Sequence, residues 1–138
     1  MPRRILPVLH CLLFSFALLP GLSGSAQTPA TPGLLGTWEG SMMIGPGSYV
    51  LAFTLSGSDG NFSATFTSRD MGVYGMPATS VVLERNRIRI RVAPVDGEFT
   101  GTLRLDESGT SLLRIDGDWF QEGEMLPMTL HKAEQPSL

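Results

Sequence analysis

From Gly36 onward the chain alternates apolar and polar residues with a period of two. Tyr49, Leu51, Phe53 and Leu55 interleave with Val50, Ala52, Thr54 and Ser56, and Phe62, Ala64 and Phe66 with Ser63, Thr65 and Thr67. Ile88, Ile90 and Val92 interleave with Arg87, Arg89 and Arg91, and Phe99, Gly101, Leu103 and Leu105 with Thr100, Thr102 and Arg104. Successive side chains of a strand point to opposite faces, so this pattern specifies strands buried on one face and wet on the other. No window past the N-terminal region carries the i, i+3, i+4 stripe of an amphipathic helix. The chain is expected to be all-β.

Turn-forming residues divide the pattern at Gly45-Pro46-Gly47, Gly57-Ser58-Asp59-Gly60, Asp96-Gly97 and Glu107-Ser108-Gly109. Such spacing suits hairpins. It predicts seven or eight strands, at 36–44, 48–56, 61–68, 78–85, 87–93, 97–106, 111–121 and 124–132. A meander of this number closes into a single antiparallel up-and-down barrel of about eight strands, which removes its edges. A two-sheet sandwich is the alternative, because strand number does not separate the two.

The N-terminus has a different character. Arg3 and Arg4 precede an apolar run centred on Leu12 to Leu19, and Gly24-Ser25-Ala26 supplies small residues at a cleavage position. That is the layout of a signal peptide over residues 1–26. A retained anchor is the competing reading, but Pro7, His10 and Pro20 interrupt a run that falls short of the roughly 20 residues of a span. Cleavage implies a secreted or periplasmic protein without a membrane segment. It also removes Cys11, the one cysteine, and leaves packing as the sole source of stability. Of 10 Lys and Arg, Arg3 and Arg4 leave with the leader, so 8 basic residues face 13 acidic ones. A net charge of −5 argues against a nucleic-acid partner. Residues 27–34 read as a flexible tether, 35–133 as the barrel and 134–138 as a disordered tail.

Large rings and glycines share the inward parity two residues apart: Trp38 with Gly40, Phe99 with Gly101, Gly117 with Trp119. The interior of a small barrel is only just wide enough for its side chains. A glycine beside a ring leaves it volume and allows the strand to coil. LGTWEG therefore reads as a packed barrel corner, or else as an indole lining an apolar cavity.

Gly36-Thr37-Trp38 resembles the G-x-W opening of lipocalin-like barrels. LLGTWEG, GMPATSVVLE, GEFTGTL and IDGDWFQEGEMLPMTL, in that order, resemble the small β domain that precedes the catalytic domain in some exported bacterial α/β-hydrolases. The match falls on Gly36, Trp38, Gly40, Pro77, Phe99, Gly101, Leu103, Gly117, Trp119, Gln121, Gly123, Pro127, Thr129 and Leu130, with Phe120 and Met128 as departures. The resemblance implies an eight-stranded lipocalin-like barrel. It carries over no catalytic residue, since catalysis in that family lies in the following domain.

The residues offer little chemistry. No G-x-S-x-G elbow follows the leader, and His131 is the only histidine left as a base. One histidine and no cysteine give zinc no ligand set, and no metal or cofactor is expected. Asp116 and Asp118 point outward together, as a cation or acid–base pair or as a solubilising face beside arginines. Arg85, Arg87, Arg89 and Arg91 form a ladder: either a docking stripe for carboxylate or phosphate groups, or partners for acids on neighbouring strands. The stretch Ser68 to Ser80 lacks alternation and is apolar for a loop, so it reads as a lid or as a plug over one end of the barrel.

These features predict an exported non-catalytic β-barrel module that binds a small apolar ligand in the barrel mouth. Trp38, Phe53, Phe66, Phe99 and Trp119 would line the interior, and Tyr49, Met71, Tyr74 and Met76 the mouth. The alternative is an accessory module that docks on a protein partner, with the arginine ladder as its surface.

Overall fold

The computed structural model describes residues 31–134. The expected signal peptide, residues 27–30 of the tether and residues 135–138 of the tail lie outside them. Nine strands follow in order: β1 (Gly36–Ile44), β2 (Gly47–Ser58), β3 (Asn61–Ser68), β4 (Val73–Pro77), β5 (Ser80–Glu84), β6 (Arg87–Val92), β7 (Gly97–Leu105), β8 (Leu112–Gln121) and β9 (Glu124–Ala133). A single 3-10 turn, Ala93–Val95, separates β6 from β7. The described residues are thus all-β, as the alternation requires.

The strands form one antiparallel sheet in the order β4-β3-β2-β1-β9-β8-β7-β6-β5, curled into a half-barrel. Every neighbour but one is also a neighbour in sequence. The exception joins the two halves of the chain: β1 registers with β9 through Thr37↔Ala133, Trp38↔Lys132 and Glu39↔His131. Burial alternates along β6 and β7 with hardly a break, as the period of two demands.

The stretch from Ser68 to Ser80 differs from expectation, because it contains β4. Its periodicity is hidden by a register shift against β3 between Phe66 and Ser68, and by Gly75 in the left-handed region at φ +60°. The Gly75 amide donates instead to Thr67 Oγ1 at 2.9 Å. β4 and β5 stand at the two ends of the sheet order, yet only Ala78 and Thr79 separate them in the chain. Ala78 N donates to Ala64 O on β3 at 2.8 Å, and Thr79 N to Arg91 O on β6 at 2.7 Å.

Curling brings distant strands together inside. Phe66 of β3 stacks on Trp119 of β8 with centroids 5.3 Å apart and planes 11° from parallel. Phe53 of β2 lies 5.8 Å from Phe99 of β7 and 6.1 Å from Trp119. Leu51, Ile88, Ile90, Ile115 and Leu130 complete a core with no solvent exposure. Each such side chain contributes about 1.5–3 kcal/mol on burial. Leu34, assigned to the tether by sequence, is buried at 2 % exposure and belongs to this core. Order therefore begins before Leu35.

Candidate functional site

The five rings expected to line a cavity are wholly buried: Trp38, Phe53, Phe66, Phe99 and Trp119 are each 0 % exposed. Phe53, Phe66, Phe99 and Trp119 pack on one another. Trp38 stands apart from that cluster. Its Nε1 donates to Leu34 O at 2.7 Å, and the Lys132 ammonium lies 5.0 Å above its ring. Lys132 also donates to the carbonyls of Gly33, at 2.6 Å, and Leu35. Its stem stays exposed, but burial of the ammonium end pushes its pKa down. The indole and the lysine together fasten the entering chain to the end of β9.

The glycines make room, though not always for the ring on their own strand. A Cβ at Gly40 would meet Thr129 O at 2.6 Å and the Met128 and Leu130 side chains at 2.9 Å. Gly40 therefore lets β9 close on β1 and does not accommodate Trp38. A Cβ at Gly97 would lie 2.3 Å from the Trp119 indole, and at Gly101 or Gly117 it would lie within 2.9 Å of the Phe99 ring. These glycines seat rings from the same or the adjacent strand.

Tyr49, Met71 and Met76 pack half-buried against the core, whereas Tyr74 is 66 % exposed. Beneath this stretch Ser68 is fully buried, and its hydroxyl has no hydrogen-bond partner among the described residues.

Two of the four ladder arginines meet acids. Arg91 meets Asp96 at 2.9 Å and Arg89 meets Glu98 at 3.7 Å. Arg87 stands opposite Glu84 across the β5–β6 hairpin. Arg85 occupies the hairpin turn at φ +57°. Asp116 accepts from Arg114 Nε at 2.8 Å and Arg104 Nε at 3.0 Å. The Arg114 hydrogen bond, with that from Arg104, holds its carboxyl below the usual range against a partial desolvation penalty. Asp116 is thus engaged by arginines, and Asp118 lies across from Thr100 and Pro127.

One feature has no counterpart in the expected sites. An outer-face groove of about 750 Å³ crosses β2, β1 and β9, with Ser48, Val50, Ser41, Pro127, Met128 and Thr129 in its lining. The register partners Glu39 and His131 both line it. The sequence signal for it is weak: apart from Glu39, outward positions of these strands carry no acid, Lys or Arg and are mostly short, whereas those of β6 carry arginine. Among the described residues no group of three His, Cys, Asp or Glu is placed to hold a metal ion, and no helix is long and apolar enough to cross a membrane.

Comparison with protein-family models, with curated proteins and with solved structures finds no match to this chain.

Proposed function

We propose that this protein is an exported, non-catalytic accessory module that docks a protein partner with the outer face of a lipocalin-like barrel. In this proposal β4 and β5 are the two halves of one bent strand, so that eight strands close an up-and-down ring. The two-residue Ala78–Thr79 joint supports closure, with its hydrogen bonds to β3 on one side and β6 on the other. The resemblance to the β domain of exported α/β-hydrolases points the same way. Export rests on the leader-like residues 1–26.

One observation carries the choice of an outer over an inner site. The interior is occupied by Phe53, Phe66, Phe99 and Trp119, packed at centroid distances of 5.3–6.1 Å. Close-packed rings leave a ligand no room without costly displacement. Photo-crosslinkers placed at outward positions such as Ser41 and Arg89 test the proposal in the exporting cell. One defined adduct from one face is expected. Absence of any adduct, together with a small molecule copurifying in stoichiometric amount, contradicts it.

Ser68 favours a second reading, the small apolar ligand. A buried hydroxyl without a partner costs about 1–3 kcal/mol, and a ligand polar group entering beneath Met71 and Met76 would relieve it. Native mass spectrometry in the presence of fatty acids tests this; an unchanged apo mass eliminates it.

A further inference from the structure

Charge is distributed unevenly around the outside of the sheet. Arg87, Arg89, Arg91, Arg104 and Arg114 all project from β6, β7 and β8, with acids among them. The outward positions of β2, β1 and β9 carry Ser, Thr, Val, Ala, Met and Pro, interrupted only by Glu39 facing His131. Lys132 of β9 is occupied with the carbonyls of Gly33 and Leu35. Depletion of charge at the centre of a patch, with a polar rim, is the composition of a protein interface.

The patch also exposes apolar surface. Met43 is 63 % exposed and Met125 65 %, and Phe120 is Met125's cross-strand partner at 37 % exposure. The 750 Å³ groove is lined in part by Pro127 and Val50. Acids stand beside the lining, which itself holds Glu39, His131 and Lys132: Asp118 lies across from Pro127, Asp70 accepts from Val50 N at 2.9 Å, and Glu122 and Glu124 are exposed at the β8–β9 turn. Asp118, Glu122 and Glu124 form no ion pair among the described residues. The groove takes in the β1–β9 register pair Glu39↔His131 and follows β9 from Ala133 to Pro127, about 20 Å.

We propose that this groove docks an extended segment of a partner protein in which Lys or Arg alternates with aliphatic residues. The aliphatic side chains would lie on Val50, Pro127 and the adaptable methionines, and the cations would meet the neighbouring acids. A strand-like segment presents those two sets on opposite sides, as the groove requires. The inference rests on the proposed docking function and names the partner's chemistry for it.

The test uses the 15N-labelled protein and two peptides of about ten residues, long enough to span the groove: one alternating lysine and valine, the other glutamate and valine. The lysine peptide should give saturable amide shifts confined to Glu39–Met43, Ser48–Val50, Asp118–Glu122 and Met125–Ala133. Asp118→Lys with Glu122→Lys should weaken it about tenfold, as should raising the salt from about 0.05 to 0.5 M. Met43→Ser, a mild change at an exposed position, should weaken it without altering the rest of the spectrum. Equal binding of the glutamate peptide, shifts centred on β6 and β7, or indifference to the Asp118 and Glu122 changes overturns the groove assignment. Crosslinking in the cell separates this failure from that of the docking function. An adduct formed from Arg89 but not Ser41 discards the groove and keeps an interaction module, whereas absence of every adduct discards the module.

Discussion

Gly97 of β7 packs against the indole of Trp119 on β8, so close that a Cβ there would fall 2.3 Å from two ring carbons. The same ring stacks on Phe66, and its Nε1 donates to Gln121 Oε1 at 3.1 Å. Gln121 Nε2 donates in turn to Val95 O at 2.8 Å. The glycine, the indole and the 3-10 turn are one packing unit. Gly97→Ala should cost about 1–3 kcal/mol by overpacking. Gly117→Ala should cost at least as much, because its Cβ would strike Thr100 O at 2.2 Å, a backbone atom that cannot swing away. Urea denaturation followed by tryptophan fluorescence measures both. Unchanged midpoints would mean the ring has space that the geometry denies it.

Trp38→Phe removes the donor to Leu34 O and part of the face beneath Lys132. The expected loss is about 1–3 kcal/mol, since a buried carbonyl is left without its partner. Hydrogen exchange should show the effect as faster exchange at Leu34 N, which donates to Thr31 O. Uniform acceleration throughout the sheet, with no excess at Leu34, would deny Trp38 its role in fastening the entering chain.

Two carboxyls should make the protein acid-sensitive. Asp106 accepts from Ser108 Oγ at 2.8 Å and from the amides of Thr110 and Ser111, and the Ser108 hydrogen bond leads in lowering its pKa. Asp116 is lowered by Arg114 and Arg104. A carboxyl depressed on folding stabilises above its unfolded pKa, here 3.8 for each, and loses that contribution as pH falls through the folded value. Melting temperature should therefore drop as pH falls below 3.8. Asp106→Asn/Asp116→Asn should flatten the drop. An equal acid dependence in wild type and double variant would assign it to other groups.

Ser68→Ala should be neutral or stabilising by up to about 1 kcal/mol, because it deletes a buried hydroxyl that has no partner among the described residues. Thermal unfolding decides it. A loss greater than about 1 kcal/mol would show that the hydroxyl has found a partner.

Alternation made most of the fold legible, and it succeeded where each strand is wet on one side. Ile88, Ile90 and Val92 are fully buried as their parity requires, and so are Trp38 and Trp119. It failed at β4, where a register shift and the left-handed Gly75 break the period. It failed at Leu34, whose burial depends on a carbonyl offered to Trp38, a contact without sequence periodicity. The rings were legible as inward-facing, but a parity argument cannot tell a packed interior from a lined cavity; that depends on whether rings from opposite strands meet. The groove was least legible. It crosses β2, β1 and β9, and little beyond the mostly short, uncharged outward side chains of those strands marks it.

Xenon titration, followed on the methyl resonances of Ile88, Ile90, Ile115 and Leu130, tests most directly whether function belongs to the outside of this sheet. Rings packed across the interior predict no saturable shift at these inward methyls. Saturable shifts converging on them, with perturbation of the Trp119 indole, would reveal an internal cavity and contradict the outer-face account.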